Sequence, residues 1–121
     1  MYFENSGIEN TVAEQKLLTE IMAKHGFVFA EQYDYERATF DKKIILKEGT
    51  YYLRIFGAAI EGDVGVGNAI IQLKKPVLGK HYYPHGVEYG DDENFPNHLV
   101  KASVNDLIAL KEDLKPFEIH A

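Results

Sequence analysis

The clearest strand in the chain is Thr50-Tyr51-Tyr52-Leu53-Arg54-Ile55-Phe56-Gly57-Ala58-Ala59-Ile60. Two sets of side chains alternate along it, namely Tyr51, Leu53 and Ile55 on one side and Tyr52, Arg54 and Phe56 on the other. Successive side chains of a strand point to opposite faces, so this pattern predicts a sheet with two different faces.

Neighbouring segments continue the sheet. The segments 27–35 and 38–46 also show a period of two, and Lys47-Glu48-Gly49-Thr50 between the second of them and the clearest strand has the composition of a turn. Residues 69–73 form another short apolar run, which Pro76 follows. Short turns between successive strands are typical of an antiparallel meander.

A helix is expected at each end of the chain. Thr11 and Glu14 have the spacing of a capping box, and the pattern predicts a helix over 12–25 that Gly26 closes. The second helix is expected from Ser103, after an irregular first turn from Pro96, and Pro116 ends it. Its predicted apolar face consists of Val100, Val104, Leu107, Ile108 and Leu114.

These elements predict an α+β fold. We expect a two-layer sandwich in residues 1–121, a single domain, with an antiparallel sheet of four to five strands. The N-terminal and C-terminal helices are expected to pack on one face of the sheet. The other face carries several aromatic side chains and is expected to be partly open, which favours a ligand or a second copy of the chain.

Composition excludes several classes of function. The chain has 121 residues, a formal net charge of −6 and no cysteine, so disulfides, thiol catalysis and cysteine-ligated zinc are excluded. No basic cluster suggests nucleic-acid binding, and no apolar run is long enough to span a membrane. The opening residues 1–5 lack the features of a signal peptide, so we expect a cytoplasmic protein without a cofactor.

The segment 79–90 is the most unusual part of the sequence. Tyr83-Pro84-His85-Gly86 has the composition of a type I turn, and a chain reversal there would place His81 opposite Glu88. Such a pair could orient a histidine as a general base, or hold a metal ion together with His85. The other interpretation is an ordinary surface ion pair beside packed tyrosines.

The candidate site combines this segment with the aromatic sheet face. Its predicted residues are His81, Tyr83, His85, Glu88, Tyr52 and Arg54. Arg54 is either an anchor for an anion or a cross-strand partner of Asp41 or Glu31. Tyrosine suits both a half-buried sheet surface and the centre of an interface, so packing and binding roles remain open.

Three stretches carry a resemblance to a known family. They are residues 3–10, Asp34-Tyr35-Glu36-Arg37 and, most specifically, Leu78-Gly79-Lys80-His81-Tyr82-Tyr83-Pro84-His85-Gly86-Val87-Glu88-Tyr89. The chain resembles the YugN-like family of small, uncharacterised proteins from spore-forming Gram-positive bacteria. The resemblance implies a compact α+β domain in the bacterial cytoplasm, and it implies no activity, cofactor or catalytic residue.

Two functions of different classes follow. The first is a non-catalytic module that self-associates, as a homodimer, or that binds a protein or small ligand through the tyrosine-rich sheet face and the segment 79–90. The second is a metal-dependent or acid–base enzyme that uses His81, His85 and Glu88. Convergence of these three side chains in a pocket would favour the enzyme.

Overall fold

The computed structural model describes residues 1–30, 35–82, 86–90 and 93–120. Seven antiparallel strands form one sheet, and two α-helices accompany it. In chain order the elements are β1 (Val12–Glu14), α1 (Gln15–Lys24), β2 (Val28–Ala30), β3 (Arg37–Leu46), β4 (Gly49–Glu61), β5 (Ile70–Leu73), β6 (Val77–His81), β7 (Val87–Glu88) and α2 (Asn97–Leu114), followed by a 3-10 turn (Lys115–Phe117). The antiparallel α+β architecture predicted from the sequence is present.

Strand β4 is the centre of the sheet. One edge of β4 pairs with β3 through residues 49–58, and β2 continues the sheet beyond β3. The other edge changes partner, because residues 50–54 pair with β6 and residues 57–61 pair with β5. Strand β7 extends the sheet from β6, and β1 extends it from β5. The sheet therefore forks beside β4, between β5 and β6.

The two faces of β4 differ in burial. Tyr51, Leu53 and Ile55 are buried, whereas Tyr52, Arg54 and Phe56 between them remain partly exposed. Leu18 of α1 and Leu107 of α2 belong to the same hydrophobic core as Leu53. The alternation predicted from the sequence is thus present, and we call the partly exposed side the open face.

The predicted number of strands is wrong, because the sheet has seven strands rather than four to five. Two of the additional strands involve the unusual segment, since β6 ends in it and β7 lies within it. Another, β1, occupies residues that were expected to begin the first helix. Part of the predicted strand 27–35, residues 31–34, lies outside the described residues.

The helices also differ in placement. Helix α1 begins at Gln15, and Thr11 does not cap it, since the Thr11 hydroxyl donates to the carbonyl of Gly7 and the Thr11 carbonyl accepts from Leu73. Helix α2 begins at Asn97 rather than Ser103. Pairing with β5 holds 12–14 extended, and this tertiary contact prevails over the local capping pattern.

The apolar face of α2 is rotated from the predicted one. Val104 and Ile108 are 39% and 55% exposed, while Leu99, Ser103 and Leu110 face the core. The buried Ser103 hydroxyl has no hydrogen-bond partner among the described residues. A polar side chain thus occupies a core position, which apolar periodicity alone does not predict.

A partly buried ion pair ties α2 to the chain that follows it, and it should make stability depend on pH. Lys111 donates to Glu118 over 2.6 Å, and this hydrogen bond lowers the pKa of Glu118 although burial opposes the effect. The stabilisation is therefore complete above the pKa of Glu118 in the unfolded chain, and it is lost as pH falls through the lower pKa of the folded chain. We expect Glu118→Gln to reduce the free energy of unfolding at about pH 7 and to have little effect at about pH 3.

Urea denaturation at both pH values measures this effect. The matched control is Glu112→Gln, since Glu112 forms an exposed ion pair with Lys115. The control should change stability little at either pH. A loss of stability from Glu118→Gln that is equal at both pH values would contradict the assigned role of the ion pair.

Candidate functional site

A charged and aromatic cluster occupies the open face. Arg54 of β4 lies opposite Asp41 of β3, so both side chains emerge on the same side of the sheet. The guanidinium binds the Asp41 carboxylate in a bidentate manner, with Nε 2.6 Å and Nη2 2.9 Å from its two oxygens. Its Nη1 donates to the Tyr89 hydroxyl over 2.5 Å, and its carbon Cζ lies 5.6 Å from the centre of the Tyr52 ring.

The electrostatics of the cluster keep Arg54 and Tyr89 in their usual protonation states. The hydrogen bonds to Asp41 raise the pKa of Arg54, although burial opposes this effect. Burial also raises the pKa of the Tyr89 phenol, and the positive charge of Arg54 opposes that shift. At neutral pH, Arg54 is a cation and Tyr89 a neutral phenol. All three nitrogens of Arg54 donate to Asp41 or Tyr89, so the structure supports the cross-strand interpretation of Arg54 rather than an anion anchor.

Gly79 lets the segment 86–90 lie against the sheet. A Cβ atom at Gly79 would lie 2.6 Å from the ring of Tyr89, and it would also overlap Val87. Such a distance is far below van der Waals contact. The absence of a side chain at Gly79 therefore allows the Tyr89 ring to cover β6 and the Tyr89 hydroxyl to reach Arg54.

The predicted pairing of His81 with Glu88 is wrong. His81 lies opposite Val87, and Glu88 lies opposite Lys80, one residue away from the predicted register. A shift of one residue moves a strand side chain to the other face, so the His81 and Glu88 side chains point to opposite sides of the sheet. The His81 ring instead meets the Tyr52 ring edge to face, with 6.0 Å between the ring centres.

Two of the predicted site residues, Tyr83 and His85, lie outside the described residues. Within the described part of the chain, no three histidine, aspartate or glutamate side chains are close enough to hold a metal ion. The enzyme hypothesis required His81 and Glu88 to converge with His85, and the observed register removes that basis. Of the six predicted site residues, the structure brings together Tyr52, Arg54 and His81.

Sequence reasoning left three members of this cluster out of the site. Asp41 was only one of two suggested partners of Arg54, and Tyr89 and Gly79 belonged to the segment 79–90 but were not named as site residues. A glycine inside a strand often marks a close approach of another part of the chain, so Gly79 carried a usable signal. The contact of Tyr89 with Arg54 depends on tertiary packing and has no counterpart in local sequence.

A groove adjoins this cluster at the fork of the sheet. It has a volume of about 500 Å³, and its lining includes Phe56, Ala58, Gln72, Lys74 and Asn10. Phe56 and Ala58 belong to the open face of β4. The partner change along β4 thus creates a concavity of the size that small ligands occupy in proteins.

The Arg54–Asp41 pair should be energetically coupled. Their side chains are 21% and 18% exposed, so neither group is fully solvated. We expect a double-mutant cycle of Arg54→Met and Asp41→Asn to give a coupling free energy of about 1–2 kcal/mol in urea unfolding. The cycle for the more exposed pair Lys75–Glu4 should give a much smaller coupling, and equal couplings for the two pairs would contradict the assignment.

Neither described helix combines the length and apolar character that crossing a bilayer requires.

Comparisons with known proteins agree with the resemblance noted in the sequence. Uncharacterized protein YlbA of Bacillus subtilis (strain 168) is 55% identical over 108 residues, which cover 87% of this chain and 90% of that protein. The crystal structure of uncharacterized conserved protein YugN from Geobacillus kaustophilus HTA426 superposes with a TM-score of 0.84 at 52% identity, covering 96% of each chain. The model of the YugN-like family matches residues 4–113, and the chain therefore belongs to the YugN-like family.

Proposed function

We propose that this chain is a non-catalytic binding module of the cytoplasm, folded as a single domain, whose open face and segment 79–90 bind an acidic ligand. The observation that carries the proposal is the partly exposed aromatic surface around Tyr52, Phe56 and Tyr89 on one side of the sheet. A ligand that covers large side chains in such a position removes apolar surface from water, and this burial favours binding.

The charges of the open face favour an acidic ligand. Lys43 lies opposite Tyr52, and Lys74 donates its backbone N–H to the carbonyl of Phe56, so both emerge on this face. Neither lysine forms an ion pair with the described residues. The two lysines therefore place uncompensated positive charge on this face, although the chain as a whole carries a net charge of −6. Such a surface attracts anions.

A homodimer through the same face is the second candidate. Aromatic side chains would favour it, but face-to-face packing would bring Lys43 and Lys74 of one copy towards the same lysines of the other. Like charges at an interface cost free energy unless carboxylates compensate them. The charge arrangement therefore favours a separate acidic ligand over a second copy.

A thermal-shift screen tests the proposal. The panel contains small organic acids, amines and neutral aromatic compounds, and the protein is compared with a face variant, Lys43→Ser combined with Lys74→Ser and Tyr52→Ser. A ligand at ten times its Kd stabilises a protein by about 1.4 kcal/mol, which raises Tm by about 5 °C for a chain of this size. We expect acids to raise Tm of the wild type and not of the face variant.

The matched control carries substitutions on the other side of the molecule, Lys101→Ser combined with Ile108→Ser, at exposed positions of α2. This control should retain the response to acids. A response that the control abolishes and the face variant retains would refute the proposal. Sedimentation velocity on the same proteins tests the homodimer, and a dimer that the face variant dissociates would replace the acidic ligand as the function.

A further inference from the structure

We propose that the groove at the fork of the sheet is a binding site for a planar aromatic carboxylate. This inference rests on the proposed function, since the groove is part of the open face, and it adds the chemical class of the ligand and the residues that recognise it.

The floor suits a flat ring. Phe56 and Ala58 lie two residues apart on β4, and both are only partly buried. The small side chain of Ala58 leaves space beside the Phe56 ring, so an aromatic ligand can stack or pack edge to face there. The wall on the β6 side includes Tyr2, which pairs with Val77 at the edge of β6 that faces away from β4. The groove thus offers apolar surface on more than one side of a ring.

The opposite wall supplies hydrogen bonds. Gln72 lies opposite Ala58, and its amide nitrogen donates to the Asn10 side-chain oxygen over 3.4 Å. This bond leaves the Asn10 amide nitrogen as a donor and the Gln72 side-chain oxygen as an acceptor in the groove. Asn10 has a φ of 70°, a left-handed conformation, and its backbone N–H donates to the carbonyl of Leu73. The backbone therefore holds the Asn10 side chain at the groove wall.

The charges favour one negative group on the ligand. Lys75 is already compensated, because its Nζ lies 3.0 Å from a Glu4 oxygen; the hydrogen bond to Glu4 raises the pKa of Lys75, and the charge of Glu9 adds to this effect. Lys74 has no ion pair with the described residues. Glu9 also lines the groove, so a second negative charge on the ligand would meet repulsion. One unpaired ammonium and one amide donor fit a carboxylate better than a doubly charged phosphate ester.

Three probes of the same ring system test this inference by NMR titration of the ¹⁵N-labelled protein. The probes are 2-naphthoate, neutral 2-naphthamide and dianionic 2-naphthyl phosphate. A ligand of this size at ordinary efficiency binds with a Kd of about 1 mM. We expect 2-naphthoate to bind in that range, with amide shifts centred on Phe56, Ala58 and Gln72, and the other two probes to bind about fivefold more weakly.

Matched variants locate the charge and the floor. Lys74→Gln should weaken 2-naphthoate binding about fivefold, whereas Lys43→Gln, at the other unpaired lysine of the open face, should change it less than about twofold. Ala58→Leu keeps every charge and fills the floor, so it should weaken all three probes. The ¹H–¹⁵N spectrum of each variant verifies its fold.

Three results would overturn the inference: equal binding of 2-naphthamide and 2-naphthoate, equal loss in the two lysine variants, or no shifts in the groove up to about 10 mM 2-naphthoate. If such a result accompanies acids that stabilise the wild type and not the face variant, only the groove inference fails. If 2-naphthoate shifts residues of α2 instead, both the inference and the proposed function fail.

Discussion

Replacement of Phe40 by alanine is expected to lower the free energy of unfolding by about 4 kcal/mol. Phe40 is 0% exposed, lies opposite Ile55 in the register of β3 and β4, and packs on Phe29 with 5.6 Å between the ring centres. Removal of a ring at this position costs the transfer free energy of the ring and leaves a cavity, since the surrounding sheet and helices can relax only in part. Urea denaturation followed by circular dichroism measures the loss.

The matched control is Phe56→Ala, the same substitution on the open face. Phe56 is only partly buried and lines the groove. It should cost about 1 kcal/mol, because less apolar surface leaves water when the chain folds and water can fill the space. The ratio of the two effects measures how open that face is. Comparable losses would mean that the open face is covered in solution, and both the binding module and the groove would lose their basis.

Alternation along a single strand was enough to predict the two faces of the sheet. Leu53 and Tyr52 are neighbours in sequence, and their difference in burial follows from the period of two. The antiparallel arrangement followed from the short turn before Gly49, which connects β3 and β4 in register from Leu46 and Gly49 outward. These features depend on residues that are close together in the chain, so they can be predicted from a single sequence.

The register of β6 and β7 was not accessible in the same way. The pairing of His81 with Val87 determines which side chains of the two strands share a face. A shift of one residue in this register would move every side chain of β7 to the other face. The turn composition around Pro84 does not fix the length of the loop, since several turn types accept proline and glycine. Packing against Gly79 is the stronger constraint, because the Tyr89 ring fits only over a residue without a side chain.

Additional strands escaped prediction for a related reason. Residues 12–14 have no strong strand pattern of their own, yet the backbone of Ala13 lies opposite Ile71 and completes the edge of the sheet. Local capping chemistry at Thr11 favoured a helix, and the tertiary pairing decided otherwise. Short edge strands depend on partners that are distant in sequence, so a local pattern predicts them poorly.

Replacement of Gly79 by alanine is expected to lower the free energy of unfolding by about 2 kcal/mol and to detach the segment 86–90 from the open face. The new methyl group would lie 2.6 Å from the Tyr89 ring, and the backbone of β6 cannot retreat, because it is hydrogen-bonded to β4 between Tyr52 and Gly79. Tyr89 must therefore move, and its hydrogen bond with Arg54 is lost. Hydrogen exchange of the Val87 and Glu88 amides should accelerate in the variant.

Two comparisons separate this packing effect from a general intolerance of glycine replacement. Gly86→Ala adds the same methyl group where no atom lies within 4 Å, so it should leave both stability and exchange nearly unchanged. Gly79→Ala in a background with Val87→Ala and Tyr89→Ala should cost clearly less than in the wild type, because both side chains that the methyl group displaces are truncated. Equal costs in the two backgrounds would show that neither side chain lies against Gly79. The segment 79–90 would then have no fixed place beside Arg54, and the binding face would be reduced to β3, β4 and the groove.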